Sequence, residues 1–553
     1  MIRIVLDFLY NSIRLIKLPF LRSLYPNNLK SLLLIALCLL GACTQKSSDK
    51  QVIRLNIYTE PPCLDPRRVV DLTSFNILIQ LFEGLTRLDQ DDLPQFAGAK
   101  KIDLSDDALT YTIELRDSFW SNGEPVTVED YVDTWKEILD PLYPSPFAYK
   151  LFVIKNARAV KAKQLPLDAV CVKKIDEKHF QITLEHPAPY FLELLAFPTF
   201  YPINRCSVKK NEEWSGEAGP LFVSNGPFKL IKWLHDGELV LNPNPHYWDC
   251  ESVNLDRIEF CMIEDAITEF YMFEQKELDW CGSPLSSIPP EVLVKLNEQG
   301  RLNVYDTTGC YFLQINTNRF PLGNINIRRA LGLAINRQEL IDHVYMIDHY
   351  VAKSIVPSMR NFETPLSCYE DASFETAKAL FKKGLEEEGL DLKSFPTLTI
   401  SYNACKQHQK VMQAIQQQWR EQLGIHVNLV SSDWKAYLYD IAQQNYDICR
   451  FGWVGEYQDP ITYLLLFRTK GGDSVNYTGW HDDRYQELLD LSIQERSHEV
   501  RKQQMQEAES ILMAQMPIIP ICHMRFAYLK NPKVKGIHAS KFGAIDLKYA
   551  RCE

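Results

Sequence analysis

The chain reads as an α/β protein containing a parallel sheet, and three patterns in its C-terminal half say so. Ala377, Leu380, Phe381 and Leu385 recur at helical spacing, and Gly389 follows as a stop. Leu398, Ile400 and Tyr402 alternate with period two, as do Ile425, Val427 and Leu429. Between these runs Val411, Ala414, Ile415, Trp419 and Leu423 make a second helical stripe that ends at Gly424. Strand, helix and strand in that order form a βαβ unit, whose two strands run parallel. A further helix over 434–442 and a strand over 446–452 extend the unit.

Nearer the start, Ile53, Leu55 and Ile57 alternate, as do Tyr111, Ile113 and Leu115, and both read as short strands. The 553 residues suffice for several domains, and no internal repeat or low-complexity linker interrupts 51–553. A content of 46% hydrophobic and 24% charged residues excludes a mainly disordered or fibrous chain. The 10 Trp and 26 Tyr fit a large core. A net charge of -11 with no basic stripe excludes nucleic acid as a partner.

The N-terminus carries an export pattern. An apolar run over 32–40 follows Lys30 and is too short to span a bilayer, which takes about 20 residues. It leads into Leu40-Gly41-Ala42-Cys43, which resembles a bacterial lipobox. The expectation is a leader over 1–42, with 1–29 an unusual extension, then a lipidated Cys43 and a polar tether over 43–50. The cysteines beyond Cys38 and Cys43 are scattered, with no C-x-x-C pair and no metal-ligand spacing. No nucleophile elbow, zinc-protease, phosphate-loop or dinucleotide motif occurs, so the sequence reads as no enzyme and needs no cofactor or metal. His481 beside Asp482 and Asp483 reads as a solvated loop.

In a parallel sheet, ligands sit beyond the carboxyl ends of the strands, against helix N-termini. His408 falls at the start of the helix after strand 398–402, and Arg450 lies near the end of the next strand. A helix N-terminus, a guanidinium fork and an imidazole together make a carboxylate site. On spacing alone, a structural Arg–Asp pair and a surface histidine is the favoured reading.

One ordered series of motifs goes further. Trp120-Ser121-Asn122-Gly123-Glu124-Pro125-Val126-Thr127-Val128-Glu129-Asp130 leads into Tyr131-Val132-Asp133-Thr134-Trp135. Leu64-Asp65-Pro66 and Leu81-Phe82-Glu83-Gly84-Leu85 precede it. Pro187-Ala188-Pro189-Tyr190-Phe191, Ser224-Asn225-Gly226-Pro227-Phe228, Asn242-Pro243-Asn244-Pro245-His246-Tyr247-Trp248, Arg328-Arg329-Ala330-Leu331 and Phe451-Gly452-Trp453 follow. Over about 51–550 the series resembles the oligopeptide, dipeptide and nickel family of extracytoplasmic solute-binding proteins.

The resemblance implies a periplasmic binding protein-like clamshell, with two α/β lobes and an extra domain, closing on ligand by a hinge. Domain I would comprise 51–86, 205–308 and 524–553, domain II 87–204, and domain III 309–523. A short peptide would lie between I and III, held by its backbone and its termini. Arg450 and His408 match the positions that hold the ligand carboxylate. Glu456, in Gly452-Trp453-Val454-Gly455-Glu456-Tyr457, matches an aspartate that holds the ligand ammonium, with an arm one methylene longer. A further acidic position reads Ser74 here, and Asn225, Asn476, Tyr311 and Gln314 are candidates for lining the cleft.

The partners so implied are short peptides, an inner-membrane ABC permease with its ATPase subunits, and the membrane through the lipid anchor, for a monomer in the periplasm. The alternatives are another solute on the same fold (a murein tripeptide, a nickel chelate or haem), a secreted hydrolase, and a surface adhesin or chaperone. Cys43→Ala is expected to move the protein from the membrane to the soluble fraction. Retention of that variant in membranes would show an uncleaved leader instead.

Overall fold

Two strands of 13 residues each, Asn303–Ile315 and Ile518–Lys530, hold the architecture together. Their apolar runs are Cys310-Tyr311-Phe312-Leu313 and Ile518-Ile519-Pro520-Ile521-Cys522, buried on both faces, as central strands require. They pair antiparallel, and the register slips between Asp306 and Cys310. At that irregularity Thr308 donates its amide to the Lys541 carbonyl at 3.0 Å, and its own carbonyl accepts from the Gly455 amide at 3.1 Å. The domain boundaries expected at 308/309 and 523/524 fall at this slip.

The computed structural model describes residues 50–359, 362, 370–469 and 476–553. The leader, Cys43 and the tether up to residue 49 lie outside the described residues. Residues 51–553 make one compact unit. In the large sheet the strand order is Trp280–Gly282, Ile518–Lys530, Asn303–Ile315, Ile448–Val454, Leu398–Asn403 and Val427–Ser432. Leu398–Asn403 lies parallel to both of its neighbours, as the βαβ pattern requires.

The crossover helix Lys406–Leu423 buries Val411, Ile415 and Trp419. It ends at Gly424, whose φ of 70° is the left-handed conformation that glycine adopts without a Cβ clash. Gly389 closes helix Phe374–Glu388 the same way, at φ 66°. The strand expected over 446–452 runs instead from Ile448 to Val454. Asp447 is drawn off to accept the Thr399 amide at 3.0 Å, while pairing with Gly309–Ile315 continues to Val454.

Two four-stranded sheets and three two-stranded ones accompany the large sheet among the described residues. Val52–Asn56 pairs parallel with Arg257–Cys261, which continues antiparallel into Glu238–Pro243 and Phe228–Leu234. Ala99–Leu104, Thr110–Leu115, His179–Thr183 and Val172–Lys174 form an antiparallel meander. Helix Val128–Leu139 packs beside it and starts in a capping box between Thr127 and Asp130.

The signature segment is structural. Gly123 takes φ 85° in the turn that returns the Glu124 carbonyl to the Trp120 amide at 2.7 Å. The Trp120 indole donates to Asp130 at 3.2 Å, and the Trp135 indole donates to the Phe200 carbonyl at 3.0 Å. Trp248 differs from these core anchors. It is partly buried, donates to Glu83 at 2.6 Å and lies 3.9 Å beneath the Arg116 guanidinium.

The 11 cysteines among the described residues are all unpaired. Among the described residues no helix is long and apolar enough to cross a membrane, and no group of three His, Cys, Asp or Glu is placed to hold a metal ion. His481 contacts Asp483 at 3.1 Å, while Asp482 caps helix Asp483–Gln494.

One buried acid stands out. Glu509 accepts the Val356 amide at 2.9 Å, its second oxygen has no hydrogen-bond partner among the described residues, and burial pushes its carboxyl up from 4.5 to about 8. Between those values the folded chain keeps a proton that the unfolded chain has released, so stability falls as pH rises through that window. Glu509→Gln is expected to flatten this fall in thermal scans between about pH 5 and pH 8. Equal slopes in the two proteins would show that Glu509 ionises freely in the fold.

Candidate functional site

Strand Ile448–Val454 is paired along its whole length with Gly309–Ile315. On its other edge only Ile448 and Cys449 find partners, in Ile400 and Ser401. From Arg450 to Val454 that edge has no paired strand among the described residues. An unpaired edge offers a row of backbone donors and acceptors to any extended chain laid against it.

Arg450 stands where the pairing stops. Its guanidinium donates to Asn403 Oδ1 at 3.3 Å and lies 4.8 Å above the Tyr311 ring. Tyr437 donates its hydroxyl to the Arg450 carbonyl, which fixes the backbone beneath the fork. Arg450 Nε has no hydrogen-bond partner among the described residues. No carboxylate forms an ion pair with Arg450 among the described residues, so the structural Arg–Asp pair left open by the spacing does not occur.

His408 sits in the first turn of helix Lys406–Leu423, with its Nδ1 3.3 Å from the Tyr311 hydroxyl. Burial, helped by the charge of Arg450, pulls the imidazole down to about 3. Burial likewise raises the Tyr311 phenol above its ordinary value. The cluster is therefore a single cation lined by neutral donors, and it is open to an anion. A planar carboxylate suits it best, because the guanidinium presents parallel N–H groups. A Cβ at Gly452 would lie 3.5 Å from Arg450 Nη2, so glycine keeps the space beside the fork clear.

Beyond the far end of this strand stands Glu456, with 18% of its side chain exposed, and it already has partners. Lys150 forms an ion pair with its Oε1, and Tyr149 donates its hydroxyl to the same oxygen at 2.9 Å. The Lys150 side chain is 1% exposed, and its ammonium lies 4.2 Å from the Phe197 ring and 5.0 Å from that of Phe147. Burial pulls the lysine down, against the opposing pull of Glu456. Reasoning from sequence missed Lys150. The available signal was a lone cation in the aromatic run Phe147-Ala148-Tyr149-Lys150-Leu151-Phe152.

Beside the pair opens a mostly apolar cavity of about 780 Å³, counting its solvent mouth, lined by Phe75, Phe147, Phe197 and Phe542 among others. Trp453 is partly buried and donates its indole to Thr462 at 3.3 Å.

Three expected lining residues do other work. Asn225 is buried with both ends of its amide on the backbone of Glu83, at 3.1 and 2.9 Å, so the Asn-Gly turn clamps 81–83 rather than facing the cleft. Asn476 donates to the carbonyls of Phe467 and Trp480 and so braces a loop. Gln314 is 2% exposed, packed under the strand against Tyr446. Ser74 is buried in helix Leu72–Leu81, and the acid nearby is Asp71, which caps that helix.

A free strand edge with a guanidinium at its start is thus set on the α/β clamshell fold of periplasmic peptide-binding proteins. The chain belongs to the bacterial extracellular solute-binding proteins of family 5, whose model for the middle region matches residues 94–474. It is 39% identical over 501 residues to the oligopeptide-binding protein OppA of Bacillus subtilis, covering 90% of this chain and 92% of that one. It resembles the solved structure of the Escherichia coli murein tripeptide binding protein MppA with a TM-score of 0.79, at 28% identity, covering 91% of this chain and 99% of that one. Haemophilus influenzae OppA, solved in complex with RPPGFSPFR, gives a TM-score of 0.77 at 27% identity, with 91% and 99% covered.

In the unliganded protein the His408 ring should show no titration by NMR between about pH 5 and pH 8, since its midpoint lies near 3 rather than 6.5. A midpoint near the ordinary value would mean that the ring is neither desolvated nor close to Arg450.

Proposed function

We propose that this chain captures short peptides outside the cytoplasm and passes them to an ABC-type permease and its ATPase subunits, from a membrane position set by a lipid on Cys43. The peptide lies along the free edge 450–454, between the segments expected as domains I and III. Its carboxylate meets Arg450, His408 and Tyr311. The observation that carries this reading is the Arg450 guanidinium, which has no acidic partner among the described residues and stands at the start of a strand edge that none of them pairs. An extended chain rises about 3.3 Å per residue, so Arg450 and Glu456 are at most about 20 Å apart along the strand. That span accommodates peptides of up to about six residues. The relatives bear names of oligopeptide-binding and dipeptide-binding proteins, which supports a peptide ligand here.

Calorimetry with peptides carrying a free or an amidated C-terminus tests the reading. Arg450→Ala should weaken binding of the free acid by about 2–5 kcal/mol, the range for truncating one partner of a buried charged contact. Amidation should cost the native protein heavily and the variant little. Equal losses from amidation in both proteins would remove Arg450 from the site, and release of cleaved fragments would make the protein a hydrolase.

A further inference from the structure

The Lys150–Glu456 pair changes what the second end of the cleft can accept. By its place in the sequence Glu456 is a receiver for a ligand ammonium, yet a chain ammonium already fills that role. Lys150 forms its ion pair with Glu456 alone among the described residues, and three rings surround it, those of Phe197, Phe147 and Tyr149, the last at 5.2 Å. Its side chain is nearly inaccessible, so it cannot swing into water to make room for a guest. A second ammonium at Glu456 would place two like charges on one carboxylate in a desolvated corner, and displacing Lys150 would leave a buried cation without a partner.

The adjoining cavity points the same way. Val69, Leu72, Phe75, Phe147, Phe197 and Phe542 give it an apolar wall. Each of its other carboxylates gives one oxygen to a backbone N–H, and Asp71 Oδ2 has no hydrogen-bond partner among the described residues. Asp71 accepts the Ser74 amide at 2.8 Å as a helix cap, and Glu193 accepts the Gln458 amide at 2.6 Å.

We infer that Lys150 is a specificity-determining residue, a built-in ammonium that satisfies Glu456, so that the cleft selects peptides whose amino-terminal end is uncharged and apolar. An N-acylated peptide with an apolar first residue fits this description. Its acyl group and first side chain enter the aromatic cavity, and its carboxylate remains at Arg450. The inference rests on the peptide reading above and departs from the ammonium role that the family resemblance implies for Glu456.

The experiment uses one tetrapeptide with an apolar first residue, a free C-terminus and either a free or an acetylated N-terminus. Calorimetry is run on the full protein and on two variants, Lys150→Met and Lys150→Met/Glu456→Gln. The native protein should bind the acetylated form at least as tightly as the free amine. Lys150→Met unmasks Glu456 and should reverse this, favouring the free amine by about tenfold or more. The double variant restores a neutral corner, should lose the reversed preference, and keeps the test available if the single variant does not fold.

A native preference for the free amine by about threefold or more would overturn the inference, as would an unchanged preference in Lys150→Met. A free-amine preference persisting in the double variant would do so as well, and would assign the ammonium to Asp71 or Glu193. An amidated control separates this from the broader reading. If amidation costs affinity while the amine preference goes the wrong way, only the inference about Lys150 fails. If amidation costs nothing, the peptide reading fails.

Discussion

The strand pair Asn303–Ile315 and Ile518–Lys530 is the constraint on which the rest depends. Each strand is long enough to belong to more than one structural region, and their antiparallel bonding continues on both sides of the slip between Asp306 and Cys310. At the slip the backbone is not left unsatisfied, because Thr308 exchanges bonds with Lys541 and Gly455. Such a place bends more easily than a regular ladder and still carries the chain through. The same pairing positions the site: Gly309–Ile315 fixes the register of Ile448–Val454, and that register sets Arg450 opposite Leu313. Arg450 emerges where the parallel neighbour, pairing only through Ser401, gives way to open edge.

The two ends of that edge differ in one electrostatic respect. At Arg450 the charge is supported by neutral groups, Asn403, Tyr311 and the depressed His408, and no carboxylate among the described residues pairs with it. At Glu456 the charge is cancelled inside the protein by Lys150. An incoming anion therefore gains a partner at one end, whereas an incoming cation finds its counter-charge taken at the other. Buried pairs add little net stability over apolar packing of the same shape, so the Lys150–Glu456 contact is better understood as a rule about ligands than as a reinforcement of the fold.

Local features were the legible ones. The βαβ unit, the glycine stops at Gly389 and Gly424, and the placement of His408 at a helix start all follow from patterns within a few turns of chain. Arg450 was expected near the end of a strand over 446–452 and stands instead at the third position of Ile448–Val454, because the strand begins and ends two residues later. What failed were inferences from a residue type to a role. Asn225-Gly226 has turn chemistry, yet the amide serves a distant backbone at Glu83. Asn476 and Gln314 are polar residues near the right strands, but packing turns one into a loop brace and the other into the core. Lys150 left only the faint signal of a lone cation in an aromatic run, because its meaning comes from a partner far along the chain. Burial of a lysine is a tertiary event that no periodicity records.

Selectivity in this molecule therefore comes from few elements. A free backbone edge is indifferent to side-chain identity, since every residue but proline presents the same N–H and C=O groups. On the proposed reading the cation at Arg450 would set polarity, because a chain laid in reverse would bring no carboxylate to it. The aromatic cavity beside Lys150 adds a preference for size and apolarity, which grows with the area removed from water. Since backbone hydrogen bonds distinguish poorly between peptides, discrimination is left to the two ends. If the inference about Lys150 holds, a single cation–anion pair inside the protein is enough to decide whether the amino end of the ligand arrives charged or neutral.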